Sequence, residues 1–233
     1  MQRRPINSSA SSAVPVQSSG GFTLVELLTV IAIISVLAGL TYGSIAVARK
    51  FADQKATQQE IQNLVAAANS YNSAWGDYPP GMLAAFKLKG NGVNEGNEAL
   101  VLALSGRKKG GPFHEAFPET RLENGDVDQL AARDLQALKK DLDFPQTALQ
   151  LYEYLDLWGN PFVYIHNRDY GTKAKIKYTS RPRDSSVAVT VEVLAAKSAK
   201  LGTYQAPTSF QIWSFGPNGK NENGEGDDIT SWK

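Results

Sequence analysis

The sequence predicts an α+β fold, in which one long amino-terminal helix packs by its second half on a small antiparallel sheet. Three observations predict it. Residues 22–48 are apolar, with Glu26 their only charge. Helical spacing then continues, with Ile61, Leu64, Val65, Ala68, Tyr71 and Trp75 recurring at threes and fours. Later in the chain, residues 162–166, 174–179, 187–194 and 210–215 show the short apolar or alternating runs of strands.

The 233 residues suffice for one domain plus an extension. A net charge of +1 gives no basic footprint, so a nucleic-acid partner is not expected. The chain has no cysteine, which excludes disulfides, zinc thiolate sites and a cysteine nucleophile.

Residues 1–21 read as a leader. Within it, residues 5–20 are rich in Ser and Pro, carry no acid, and cannot bury enough apolar surface to fold alone. A secretory signal peptide places its small residues after the apolar stretch. Here Gly20-Gly21 comes before it, so a cut after Gly21 keeps the hydrophobic segment in the mature chain. The uncharged run 27–48 extends roughly 33 Å at about 1.5 Å per residue, near the thickness of a bilayer core. Basic residues flank it on both sides, Arg3 and Arg4 before and Arg49 and Lys50 after, so orientation stays open. Glu26 needs a partner, because an isolated carboxylate in hydrocarbon costs on the order of 2.5 kcal/mol or more. A free amine at Phe22, exposed by the cut, lies about one helical turn away and supplies one.

The stretch Gly21-Phe22-Thr23-Leu24-Val25-Glu26-Leu27-Leu28 resembles the prepilin cleavage motif of type IV pilins and type II secretion pseudopilins. The resemblance implies a pilin-like fold and a membrane peptidase that cuts after Gly21 and methylates the new Phe22 amine. It also implies that Glu26 directs the subunit into a filament. On this reading residues 22–48 are a transmembrane and filament-core helix, 49–76 its amphipathic continuation, and 77–233 a globular head. Gly76 and Pro79-Pro80 stop the helix. The head must then lay a sheet against Ile61, Leu64, Ala68 and Tyr71.

Residues 81–155 read as loops with one or two short helices, including an amphipathic run over 127–142. Arg107-Lys108-Lys109 fits a solvated loop better than a docking patch. Lys173, Lys175 and Lys177 alternate on one strand face, with Arg181 and Arg183 beyond. That pattern suits an edge strand protected by lysines better than an anion-binding face. His114 and His166 lack acids at metal-binding spacing and read as structural. No catalytic grouping is visible, so no enzymatic activity is expected.

The carboxy-terminal segment 214–229 sets hard oxygen donors among glycines, as either a flexible calcium cage or a polar surface turn would. It misses the helix-loop-helix calcium pattern, since Trp232 stands where the bidentate Glu belongs. The segment Asp156-Leu-Trp158-Gly-Asn-Pro161-Phe, with 214–219 and 224–232, is similar to the ending of the major type II secretion pseudopilin. That resemblance implies a structural calcium ion. Asn218 stands in the place of an acidic ligand, Asp228 in that of the second acid, and carbonyls near Trp213 and Phe215 complete the shell. Asn218 removes one negative charge, which Asp227 or Glu222 would have to restore. Residues 82–150 and 167–209 lie outside the resemblance, which suggests a divergent paralogue with an inserted hairpin.

The expected role is a structural subunit of a type II secretion pseudopilus. It sits in the inner membrane by a single pass, with its head in the periplasm, and helps export folded proteins. The expected partners are its own copies, other pseudopilins, the prepilin peptidase and the membrane assembly platform. The alternatives are a type IV pilus subunit, for adhesion, motility or DNA uptake, and a membrane-anchored binding domain.

Overall fold

The computed structural model describes residues 21–114, 117–145, 149–179, 187–200 and 202–233. The leader over 1–20, the side chains of 40–44 and 46, and Arg181 and Arg183 lie outside the described residues. The chain forms two compact units, 1–47 and 48–233.

The first unit contributes the opening part of helix α1 (Leu24–Trp75). Thr23 starts the helix, its carbonyl accepting the Leu27 N–H at 3.2 Å. Apolar side chains cover every face described in this part. Leu24, Val25, Leu27, Leu28, Val30, Ile31, Ile33, Ile34, Val36 and Leu37 are all exposed. Two of its described hydroxyls bond to the helix itself: Thr29 donates to Val25 O at 2.8 Å and Ser35 to Ile31 O at 2.7 Å. The helix ends where Gly76 takes a left-handed φ of 83° and donates to Asn72 O at 2.8 Å.

In the second unit the amphipathic half of α1 lays Ile61, Leu64, Ala67, Ala68 and Tyr71 into a core with Tyr154, Phe162, Tyr164, Phe210 and Ile212. That is the packing the apolar spacing predicts. One of the short helices expected within 81–155 shares this core. In α2 (Glu95–Ser105) every residue from Asn97 to Leu104 is buried. Leu100, Val101, Ala103 and Leu104 join the core that α1 lines, while Ala99 and Leu102 join a second core. That second core holds Leu83, Leu130, Phe144 and Leu151, with Leu135, Leu138 and Leu142 from α3 (Ala132–Leu142). A helix buried on all sides has no polar stripe, so periodicity cannot announce it. The amphipathic run over 127–142 becomes helical only from Ala132, because Val127 sits exposed in a loop at a φ of 64°.

The α+β fold and the antiparallel pairing are as expected, but among the described residues the strands form three small sheets rather than one. β1 (Leu122–Glu123) pairs with β2 (Glu153–Tyr154). β3 (Val163–His166) and β7 (Ile229–Thr230) flank β6 (Phe210–Ser214). β4 (Ala174–Thr179) pairs only with β5 (Ala188–Val193). The split has a packing reason. Alternation along β3 and β6 sends Tyr164 and Ile212 to the helix face and Val163, Ile165 and Trp213 to the other. The β4–β5 hairpin covers that other face with Ile176 and Val193, so the central sheet is buried on both sides. The free edge of β4 is closed by Asn94 rather than left to lysines. Asn94 N donates to Lys175 O at 2.8 Å, and Lys177 N donates to Asn94 Oδ1 at 2.9 Å.

Candidate functional site

The amino-terminal motif folds as a reciprocal helix cap. Glu26 Oε2 accepts from both the Thr23 backbone N–H and its hydroxyl at 2.9 Å, and Glu26 N donates to Thr23 Oγ1 at 3.2 Å. This Thr-x-x-Glu arrangement satisfies donors that a helix start leaves free. In the uncut chain the Glu26 carboxylate therefore has a local partner. While Gly21 precedes it, Phe22 carries an amide nitrogen and no free amine. Phe22 itself is 83% exposed.

At the other end, Asp156 organises the turn that precedes β3. It is buried, and its Oδ1 accepts from Trp158 N at 2.8 Å and Asn160 N at 2.9 Å. Its Oδ2 accepts from Ser214 Oγ at 2.6 Å, which ties the turn to the end of β6. Burial nevertheless pushes its carboxyl above the ordinary carboxylate range. The loop from 215 to 228 starts beside this anchor.

Within that loop the structure brings Asp227, Asp228 and Glu222 together. Asp228 Oδ2 gathers the N–H groups of Glu222 at 3.0 Å and Gly224 at 2.7 Å. Glu222 Oε2 accepts from Asp227 N at 2.8 Å, and Asp227 Oδ2 accepts from Asn218 N at 3.2 Å. Each aspartate keeps a second oxygen, Oδ1, that is buried with no hydrogen-bond partner. Burial, opposed by these N–H donors and reinforced by the neighbouring acids, pushes Asp228 up to about 6. Burial and the adjacent Glu222 also raise Asp227. Asn218, expected as a ligand, turns its Oδ1 to its own backbone and accepts from Lys220 N at 2.6 Å. Trp213 indole N–H donates to Asn221 Oδ1 at 3.3 Å, and Trp232 packs edge-on against Trp213.

The remaining sequence candidates take structural places. His114 Nε2 lies 3.3 Å from Glu60 Oε1 and its ring stacks on Phe117. His166 Nδ1 accepts from Arg168 N at 3.1 Å. Lys109 rests over the Trp75 ring and Lys108 donates to Lys140 O, so this basic cluster packs on the head's own surface. Lys173 pairs with Glu192 at 2.7 Å. A grouping the sequence reading passed over does converge: one carboxylate oxygen each of Glu98, Asp126 and Glu153 lie within 4.8 Å of one another. The alternating Asn124, Asp126 and Asp128 were the available signal.

Among the described residues no helix is long and apolar enough to cross a membrane. The expected span, 22–48, includes the positions 40–44 and 46 whose side chains are not described. A family model for the prokaryotic N-terminal methylation motif matches residues 17–42. No curated protein and no solved structure matches the chain. The methylation motif is the signature of type IV pilins and pseudopilins. It supports a membrane-anchored, pilin-like structural subunit that a prepilin peptidase processes and that assembles with other pilin subunits.

Proposed function

We propose that the chain is a subunit of a type II secretion pseudopilus, cut after Gly21, methylated on Phe22, and assembled in the inner membrane with its head in the periplasm. The observation that carries this reading is the pairing of the methylation motif with a helix start that is apolar on every described face. Such a surface is costly in water and suits either hydrocarbon or a bundle of its own copies. Once Gly21 is removed, the new cationic amine at Phe22 competes with Thr23 for Glu26, on the same subunit or a neighbour. Processing then changes the partner of Glu26 and primes assembly. A calcium ion held by Asp227 and Asp228, with carbonyls near Trp213 and Phe215, fits the unpartnered Oδ1 atoms of the carboxy-terminal loop. Asn218 would join only by turning its amide away from Lys220.

Deletion of the gene and complementation with the parent or Glu26→Val test the proposal. Loss of export of folded proteins, restored by the parent and not by Glu26→Val, is the expected result. Normal export with loss of surface filaments would instead assign the chain to a type IV pilus.

A further inference from the structure

We propose that Glu98, Asp126 and Glu153 hold a second divalent cation, calcium, that clamps α2 and β2 to the loop over 124–130. The site lies wholly within the second unit and is separate from the carboxy-terminal loop.

The decisive residue is Glu98. It is 0% exposed, sits on α2, and both of its carboxylate oxygens lack a hydrogen-bond partner. Its side chain faces Asp128, another acid whose Oδ1 is buried with no donor beside it, so the two carboxyls share a hydrogen bond only while one is protonated. Asp126 Oδ1 is a further orphan, while its Oδ2 accepts from Asn91 Nδ2 at 2.8 Å. Glu153, 1% exposed, is held in place by Asn94 Nδ2 at 2.8 Å and Gly125 N at 2.9 Å. Among the described residues no Lys, Arg or His forms an ion pair with any of the four acids.

Carboxylates buried together without a counter-charge are costly, and orphaned buried oxygens are rare. The geometry supplies what is missing. Calcium takes oxygen ligands at about 2.3–2.6 Å, so two ligands of one ion stand at most about 5 Å apart. The oxygens of Glu98, Asp126 and Glu153, all within 4.8 Å of one another, can surround one ion. Asp128, beside Glu98 but outside this group, adds negative charge that favours a cation. Magnesium fits less well, since it keeps several waters and accepts few carboxylates. The loop is preformed: Asn124 accepts from Asp128 N at 3.1 Å and donates to Asp128 O at 2.7 Å. Asp126 and Asp128 are only partly buried, which leaves an approach from solvent.

Calcium counting by equilibrium dialysis tests the site on the full chain in detergent micelles. Parent, Glu98→Gln, Asp126→Asn and Asp227→Asn/Asp228→Asn are compared at a calcium concentration that saturates the parent. Glu98→Gln and Asp126→Asn should each bind one ion per chain fewer than the parent. The Asp227→Asn/Asp228→Asn chain should still lose an ion when Asp126→Asn is added. Asp126 lies in a partly exposed loop, so Asp126→Asn reports even if Glu98→Gln alters the core. An unchanged count in Asp126→Asn, or no calcium on the parent, overturns the proposal.

Discussion

Asn97 is the most informative single perturbation of the head. It lies on α2, is fully buried, and bridges that helix to the strands. Its Nδ2 donates to Tyr154 O at 2.9 Å and Phe162 O at 2.6 Å, and its Oδ1 accepts from Tyr154 N at 2.6 Å. Asn97→Ala removes all three bonds at a fully buried position. Tyr154 O keeps the Phe162 N–H at 3.0 Å, so the groups stranded are Tyr154 N–H and Phe162 C=O. At about 1–3 kcal/mol for each stranded buried group, the cost is about 2–6 kcal/mol. For a domain of this size that corresponds to a fall in Tm of about 5–20 °C. Thermal unfolding of the full chain in micelles, followed by near-ultraviolet circular dichroism, measures it. A fall below about 2 °C would refute the claim that α2 is integral to the core.

Further predictions concern the loop and a buried pair. A Cβ at Gly224 would run into the Trp232 ring, and this glycine has a φ of 85°. Gly224→Ala should therefore displace Trp232 from Trp213 and shift tryptophan fluorescence to the red; an unchanged spectrum would contradict the packing. Glu60 is held below its ordinary value of 4.5, chiefly by the hydrogen bond from His114. A depressed carboxyl stabilises fully above its unfolded value and loses that contribution as the pH falls through the folded one. The Tm difference between parent and Glu60→Gln should thus be full above pH 4.5 and shrink below it. A difference independent of pH would refute the assignment.

What the sequence made legible was periodic. The amphipathic half of α1 put Ile61, Leu64, Ala68 and Tyr71 on one face, and they are buried as a set. The strand patterns at 174–179 and 210–215 reappear as β4 and β6 to within a residue. α2 was hidden because burial on every side erases the contrast that periodicity needs. The single sheet became three because the hairpin of β4 and β5 covers the central sheet instead of extending it, a choice made by tertiary packing. At the carboxy-terminal loop, the run of donors drew the eye to Asp227 and Asp228, while the hydrogen bonds that place Glu222 beside them were not readable. For the grouping of Glu98, Asp126 and Glu153, only the alternating Asn124, Asp126 and Asp128 were readable; Glu98 and Glu153 join from distant parts of the chain. The Thr23-x-x-Glu26 cap was readable as a helix start but was overshadowed by the demand for a charged partner.

The central claim is that this chain is a processed, pilin-like subunit whose mature end begins at Phe22. Mass spectrometry of the chain isolated from membranes tests it most directly. The account predicts an amino-terminal peptide that starts at Phe22 and carries a methyl group on its amine. A chain that retains residues 1–21, or that starts after the apolar segment 22–48, would contradict it.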